Sequence, residues 1–388
     1  MIDGLFDFFQ PTEVVIKKSE DGIRRMADSV LVHHRESLPS IEEARIVIIG
    51  VNESRGHSAN GGTRHAPDAI REHLYQLMEM DESIPVVDMG NIAPGERLDD
   101  TYAAVRIVCS ELLRSGKIPV IIGGSQDLTY ANYSAYETME QTVNLVSIDA
   151  RLDFGGSPDQ ISAANYLNRI VMHQPNYLFN YSNIGHQRYY VDKDLLELME
   201  RMYFDMHRLG EVNGNIEDAE PVLRNADLVS FDLSAVRAAD CPGSHRSGVN
   251  GLYAEHACQL ARYAGMSDKL TSFGIYEYNP ELDPRKFGAE LAAQVIWHFI
   301  EGVAGRKGDY PVGSKDNYLK YIVALSDHEL VFYKSPLTDR WWMEVPYPST
   351  TGNRYMRHHV VPCTYADYQQ STNEEMPDRW WKTFQKLT

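Results

Sequence analysis

The chain has 388 residues, 43% hydrophobic and 24% charged, with 27 glycines and 18 prolines; this excludes disordered, collagen-like and low-complexity classes and supplies enough apolar residues for a large core. Thirty-seven Lys and Arg against 55 Asp and Glu leave a net charge of −18, a field that repels phosphate backbones and anionic lipid and so argues against nucleic acid and membrane surfaces as partners. Cys109, Cys241, Cys258 and Cys363 lie far apart without a CxxC pair, and neither a secretory leader nor a run of about 18 apolar residues is present, so a soluble protein of the reducing cytoplasm is expected.

In chain order, residues 1–43 carry apolar residues at helical spacing, as in IRRMADSVLVHH, and read as an N-terminal helical extension. From Ala44 the pattern changes to short apolar runs rich in β-branched residues: ARIVIIGVN, IPVVDMGN, IPVIIGGSQD, VNLVSIDARLD, LVSFDLS and LTSFGIYEYNP. Helix-like stretches such as APDAIREHLYQLM, DDTYAAVRIVCSELLRSG and GLYAEHACQLARYAG alternate with them. Strands buried on both faces and alternating with helices predict an α/β fold over 44–305, a doubly wound, mostly parallel sheet with helices on both faces. Residues 306–388 leave this rhythm for two strands, LKYIVALSD and HELVFYKS, and the pairs Trp341–Trp342 and Trp380–Trp381. They read as a C-terminal β/aromatic appendage packed on the main domain, its aromatics serving core or docking.

In such sheets the chemistry gathers in loops beyond the carboxyl ends of the strands. Four runs end there in polar residues: GGSQD, DARLD, SFDLS and YEYNP. Asp149, Asp153 and Asp232 could converge as oxygen ligands for a hard divalent cation; the alternative is that each caps a helix or pairs with an arginine.

The order of these motifs resembles the ureohydrolase superfamily of arginases, agmatinases and formimidoylglutamases, whose pattern is Gly-Gly-x-His, Asp-Ala-His-x-Asp, Ser-x-Asp-x-Asp and a Glu near Asn-Pro. GGTRHAPDAIR at 61–71 is similar to that family's Gly-Gly-x-x-x-x-Pro-x-x-Ile-Arg segment, and IGHQ at 184–187 is similar to the formimidoylglutamase branch. The resemblance implies an arginase-like fold, two manganese ions that activate water, and hydrolysis of a guanidino or formimidoyl C–N bond. Against that pattern, Gln126 stands in place of a ligand histidine, Arg151 of a second, and Ser234 of a ligand aspartate. SAANYLNR also offers Ala164 and Asn165 where relatives carry a proton-transferring histidine.

Partitioned between the two metals, the changes leave Gln126, Asp149, Asp153 and Asp232 as one site for Mn²⁺, Mg²⁺ or Ca²⁺. Arg151, a permanent cation that cannot ligate, is expected between Asp149 and Asp232 in place of the second ion. The cofactor expectation is therefore none or one divalent cation, with no dimanganese centre. Glu277 matches the family's guanidinium-binding glutamate; it either still receives a small cationic ligand or pairs with Arg151. Asp240, His245 and Arg246, in the loop after Asp232, are ligand-contact candidates by position. His57, His65, His186 and His256 form no metal-binding spacing.

Two functions follow from this reading. The first is a non-hydrolytic pseudoenzyme serving as a binding or scaffold subunit, a homo-oligomer or a protein that meets its partner through the aromatic C-terminus. The second is an active metal-dependent C–N hydrolase of a guanidino or formimidoyl substrate, with Asp149, Asp232 and Glu277 at its centre and one metal or an unusual site.

Overall fold

A computed structural model describes residues 4–20, 22–35, 37–80, 84–156, 160–312, 314–325, 328–348 and 355–388. Ten strands form the central sheet: β1 (Phe9–Gln10), β2 (Leu31–Val32), β3 (Ile46–Val51), β4 (Val86–Ile92), β5 (Ile118–Ile122), β6 (Val143–Ile148), β7 (Leu178–His186), β8 (Asp205–Arg208), β9 (Leu228–Asp232) and β10 (Ser272–Tyr276). Their order is β1-β4-β3-β5-β10-β9-β6-β7-β8, with β2 also on β4. Only the short β1 runs antiparallel to its neighbour.

Successive side chains of a strand face opposite sides of the sheet, so an uninterrupted apolar run must be covered twice. Along β3, Ile46 and Ile48 enter one core with the helices Ala66–Leu74, Ala254–Gly265 and Phe287–Ala304. Val47, Ile49 and Val51 enter a second core with the helices Leu98–Arg114 and Leu128–Glu137. This is the α/β arrangement expected. The helices Ala254–Gly265 and Phe287–Ala304 touch backbone to backbone at Gly265 and Gly302: a Cβ on Gly265 would stand 2.2 Å from the Phe299 carbonyl oxygen.

The N-terminal stretch departs from the helix its spacing predicts. Among the described residues of this stretch, a 3-10 turn at Leu5–Phe8 and one α-helical turn at Met26–Ser29 are the helical parts, and Leu31–Val32 continues as a strand on β4. The apolar positions are satisfied in another way: Met26 and Ala27 are buried from a single turn and Val32 from the strand, whose neighbour His33 donates its amide to the Asp88 carbonyl at 2.8 Å.

A separate antiparallel sheet is formed by β11 (Leu319–Leu325), β12 (His328–Lys334), β13 (Trp341–Glu344) and β14 (Val360–Cys363), followed by the helices Tyr365–Thr372 and Asp378–Leu387. Trp341, Trp342 and Trp380 are buried, whereas Trp381 is exposed. The buried Arg224 of the main domain donates to the carbonyls of Trp341 and Cys363, both at 3.0 Å, and lies 4.6 Å from the centre of the Trp342 ring. Arg357 reaches Asp227 at 2.6 Å, just before β9. Among the described residues, no helix is long and apolar enough to cross a membrane.

Candidate metal centre and the cavity above it

The sheet order sets β5, β10, β9 and β6 side by side, so the four polar strand ends emerge together. After β5, Gly123 and Gly124 take φ of +82° and +76°; a Cβ on Gly124 would lie 2.8 Å from the Glu53 carbonyl oxygen. That glycine turn aims the Gln126 amide at Glu277 Oε1, 2.9 Å away. Asp153 and Glu277 are non-glycine residues in the left-handed region, with φ of 38° and 67°. Such conformations cost about 1–3 kcal/mol each and are held where the surroundings over-determine them.

Asp149, Asp153 and Asp232 are buried, and one carboxylate oxygen of each lies within 4.8 Å of the others. Asp149 accepts the Arg151 amide at 2.8 Å, Asp232 the Ser234 amide at 2.6 Å, and Asp153 the Arg246 guanidinium at 3.3 Å. Burial, then the charges of Asp153 and Asp232, raises the Asp149 pKa well above the ordinary carboxylate range. Burial also pushes Asp153 up to about 6 against the pull of Arg246. Asp232 rises to about 7 through burial and the charges of Glu277 and Asp153.

Asp153 Oδ2, Gln126 Oε1 and Ser234 Oγ are buried with no hydrogen-bond partner, while Gln126 Nε2 is engaged by Ser230 Oγ at 2.8 Å. Crowded carboxylates and orphaned oxygens of this kind are the donor set that a hard cation takes, so the residues present fit a metal. Asp149, Asp153 and Asp232 would hold it, with the Gln126 and Ser234 oxygens at the margins of the set.

Arg151 is not between the aspartates. Its guanidinium lies 4.1 Å from the centre of the Tyr190 ring and donates to the Arg246 carbonyl at 3.4 Å. It makes no ion pair among the described residues. Glu277 does not pair with it either: Oε2 meets His57 Nδ1 at 2.6 Å and accepts Asn60 Nδ2 at 2.8 Å. Burial opposes charging of His57, yet the hydrogen bond and charge of Glu277 outweigh it and raise the imidazole pKa. His57 and Glu277 are 220 residues apart in the chain, and no local spacing could have joined them.

Above the carboxylates a cavity of ≈ 570 Å³ is lined by Gly56, His57, Arg151, Ala164, Tyr190, His245 and Arg246, with serines between them. The His57 and His245 rings meet edge to face, centroids 5.7 Å apart. Asp240, expected here, is not in the lining: Arg237 holds it at 2.7 Å and the Ala254 amide donates to it at 3.1 Å.

The chain matches the arginase family over residues 44–301. It belongs to that family. Curated relatives include formimidoylglutamases of Staphylococcus haemolyticus, 26% identical over 65% of this chain and 82% of the relative, and of Staphylococcus aureus, 25% identical over 69% and 88%. Among solved structures, a Trypanosoma cruzi formiminoglutamase with two manganese ions superposes with a TM-score of 0.66 at 21% identity, over 74% of this chain and all of that one. A Bacillus subtilis formimidoylglutamase does so at 0.67 and 18%, over 78% and 98%.

The expectation of none or one cation, with no dimanganese centre, is thereby overturned. A solved formiminoglutamase of this fold is a two-manganese protein, and the cation that was to replace the second ion is stacked on Tyr190 instead.

Proposed function

We propose that this chain is a metal-dependent hydrolase that cleaves a C–N bond of a linear amidine, in the manner of the formimidoylglutamases it is similar to. The observation that carries the proposal is the Asp149, Asp153 and Asp232 cluster, three buried carboxylates of which only Asp153 meets a guanidinium, that of Arg246 at 3.3 Å, while Arg151 lies on Tyr190. A non-hydrolytic scaffold role rested on the altered positions Gln126, Arg151 and Ser234, and the position of Arg151 removes one of its supports, its expected neutralisation of that cluster.

Divalent ions held by Asp149, Asp153 and Asp232 would supply positive charge and lower the pKa of a bound water. The chain's own residues do the rest. Glu277 is fixed by the Gln126 amide, Asn60 and His57, so it holds its place without reorganising. Hydrolysis joins a water oxygen to the amidine carbon and breaks the bond to the amine; the bonding electron pair goes to nitrogen, which must take up a proton. His57 lines the cavity, and its hydrogen bond to Glu277 raises its affinity for a proton, so it is placed to supply that proton. Ala164, where relatives carry a histidine, lines the same cavity, and His57 approaches it from another loop.

The test is release of formamide or urea by the Mn²⁺-loaded full chain from N-formimidoyl-L-glutamate, L-arginine and agmatine. Turnover of at least one amidine, abolished by chelation and restored by Mn²⁺, is expected. Stoichiometric Mn²⁺ binding with no turnover of any of the three would overturn the proposal.

A further inference from the structure

A second pocket, of ≈ 320 Å³, lies beside the metal cavity and shares no lining residue with it. The turn Arg188–Tyr190 borders both: Tyr190 lines the metal cavity, whereas Arg188 and Tyr189 line the second pocket. On a chain with a net charge of −18, the lining of this pocket contains Arg188, Arg208 and Arg237 and no carboxylate. Arg237 is engaged, with Asp240 at 2.7 Å and the Tyr253 ring at 4.5 Å. Arg188 and Arg208 make no ion pair among the described residues; Glu211 accepts the backbone amide of Arg208 at 3.2 Å and not its guanidinium. His186, also in the lining, is 3% exposed, and its Nδ1 has no hydrogen-bond partner. Burial draws its pKa down to about 4, so the ring is neutral at pH 7. Tyr189, Val249 and Tyr253 complete the lining with exposed apolar surface. A guanidinium without a carboxylate keeps its planar donor fork for a phosphate, and an exposed aromatic ring gives a planar group a face to stack on.

We propose that this pocket is a second ligand site, which takes a phosphate group linked to a planar ring, the chemistry of a nucleoside monophosphate. Arg188 and Arg208 pair with the phosphate, His186 Nδ1 hydrogen-bonds to one of its oxygens, and Tyr189 and Tyr253 receive the ring. The volume of ≈ 320 Å³ is at the small end of ligand pockets and suits one nucleotide, not two. The site stands apart from the hydrolase reading, because none of its residues belongs to the carboxylate cluster or to the cavity above it.

The experiment is calorimetric titration of the Mn²⁺-loaded full chain with inorganic phosphate, adenosine monophosphate and adenosine, for wild type, the double variant R188A/R208A and Y189A, at two salt concentrations. All three side chains are exposed, so the variants should fold, which circular dichroism checks. Wild type should bind the monophosphate more tightly than either phosphate or adenosine, and less tightly as salt rises. R188A/R208A should weaken monophosphate binding about tenfold or more, as expected for loss of charge-assisted pairs, and should flatten the salt dependence. Y189A should weaken it about threefold and leave inorganic phosphate unchanged. No saturable binding of the monophosphate, adenosine bound as tightly as the monophosphate, or a Y189A variant that binds it like wild type would each overturn the proposal. Monophosphate affinity unchanged in R188A/R208A would put the phosphate on the Mn²⁺ ions and overturn it as well.

Discussion

Strand β9 has a buried aspartate at each end, and the two are treated in opposite ways. Asp227, just before the strand, accepts the Asn144 amide at 2.9 Å and lies 2.6 Å from Arg357 and 3.7 Å from Lys269. Asp232, at its carboxyl end, receives one backbone amide and otherwise faces Asp149 and Asp153. Burial alone therefore does not mark a functional carboxylate. The difference is whether the protein supplies its own counter-charge: at Asp227 it does, with cations from elsewhere in the chain, and at Asp232 it leaves a deficit that an ion must fill.

The largest effect should come from the compensated end. Asp227→Ala leaves Lys269, fully buried, without its anion, and burial already draws the Lys269 pKa down to about 8. A loss of about 3–5 kcal/mol in urea unfolding is expected; a loss below about 1 kcal/mol would erase the contrast between the two ends, since surface-like pairs give no more. Asp232→Ala should behave differently. Removing a metal ligand should cut Mn²⁺-dependent turnover more than about 100-fold, beyond the 10–100-fold typical of groups that only support ligands. In metal-free protein at pH 8 the same substitution should raise stability, because it deletes one of three mutually repelling charges.

The uncompensated end also sets a pH dependence. The pKa values of Asp149, Asp153 and Asp232 are raised in the folded state, the latter two to about 6 and about 7, so the native protein binds protons that the unfolded chain releases near pH 4. The cluster's contribution to metal-free stability should thus be fully present below about pH 4 and fall, by about 2 kcal/mol or more, between pH 5 and pH 8. Saturating Mn²⁺ should flatten or reverse this slope, as ions displace protons. A metal-free chain that is more stable at pH 8 than at pH 5 would contradict the crowding of these carboxylates. The smallest effect is expected from Arg151→Ala: with its guanidinium on Tyr190 and outside the cluster, thermal unfolding should register no more than about 1 kcal/mol.

Much of this arrangement was legible in the chain. Apolar runs ending in Gln126, Asp149, Asp232 and Glu277 announce strands whose carboxyl ends share one rim, because a parallel sheet leaves little choice of where such loops go. What the pattern could not carry was side-chain direction. Arg151 lies two residues from Asp149 in the chain, yet its guanidinium stacks on the face of Tyr190 and not between the aspartates. The His57–Glu277 pair bridges β3 and β10 loops and has no local signature. The N-terminal residues misled for a related reason: a single helical turn followed by an edge strand buries Met26, Ala27 and Val32 as well as a longer helix would.

Arg357 lies 130 residues beyond Asp227. At roughly 5–20 residues per second of synthesis, the ribosome needs about 7–26 s to deliver it after Asp227 has been made. During that interval the lower end of β9 has Lys269 at most, and Arg224 has no Trp341 or Cys363 carbonyl to receive it. The arginase-family region thus lacks these partners of Asp227 and Arg224 when its last residue leaves the tunnel, until Arg357 and Cys363 are made. A nonsense codon between residues 306 and 357 should yield a product that is held by chaperones or degraded, even though every aspartate of the candidate metal centre has already been translated.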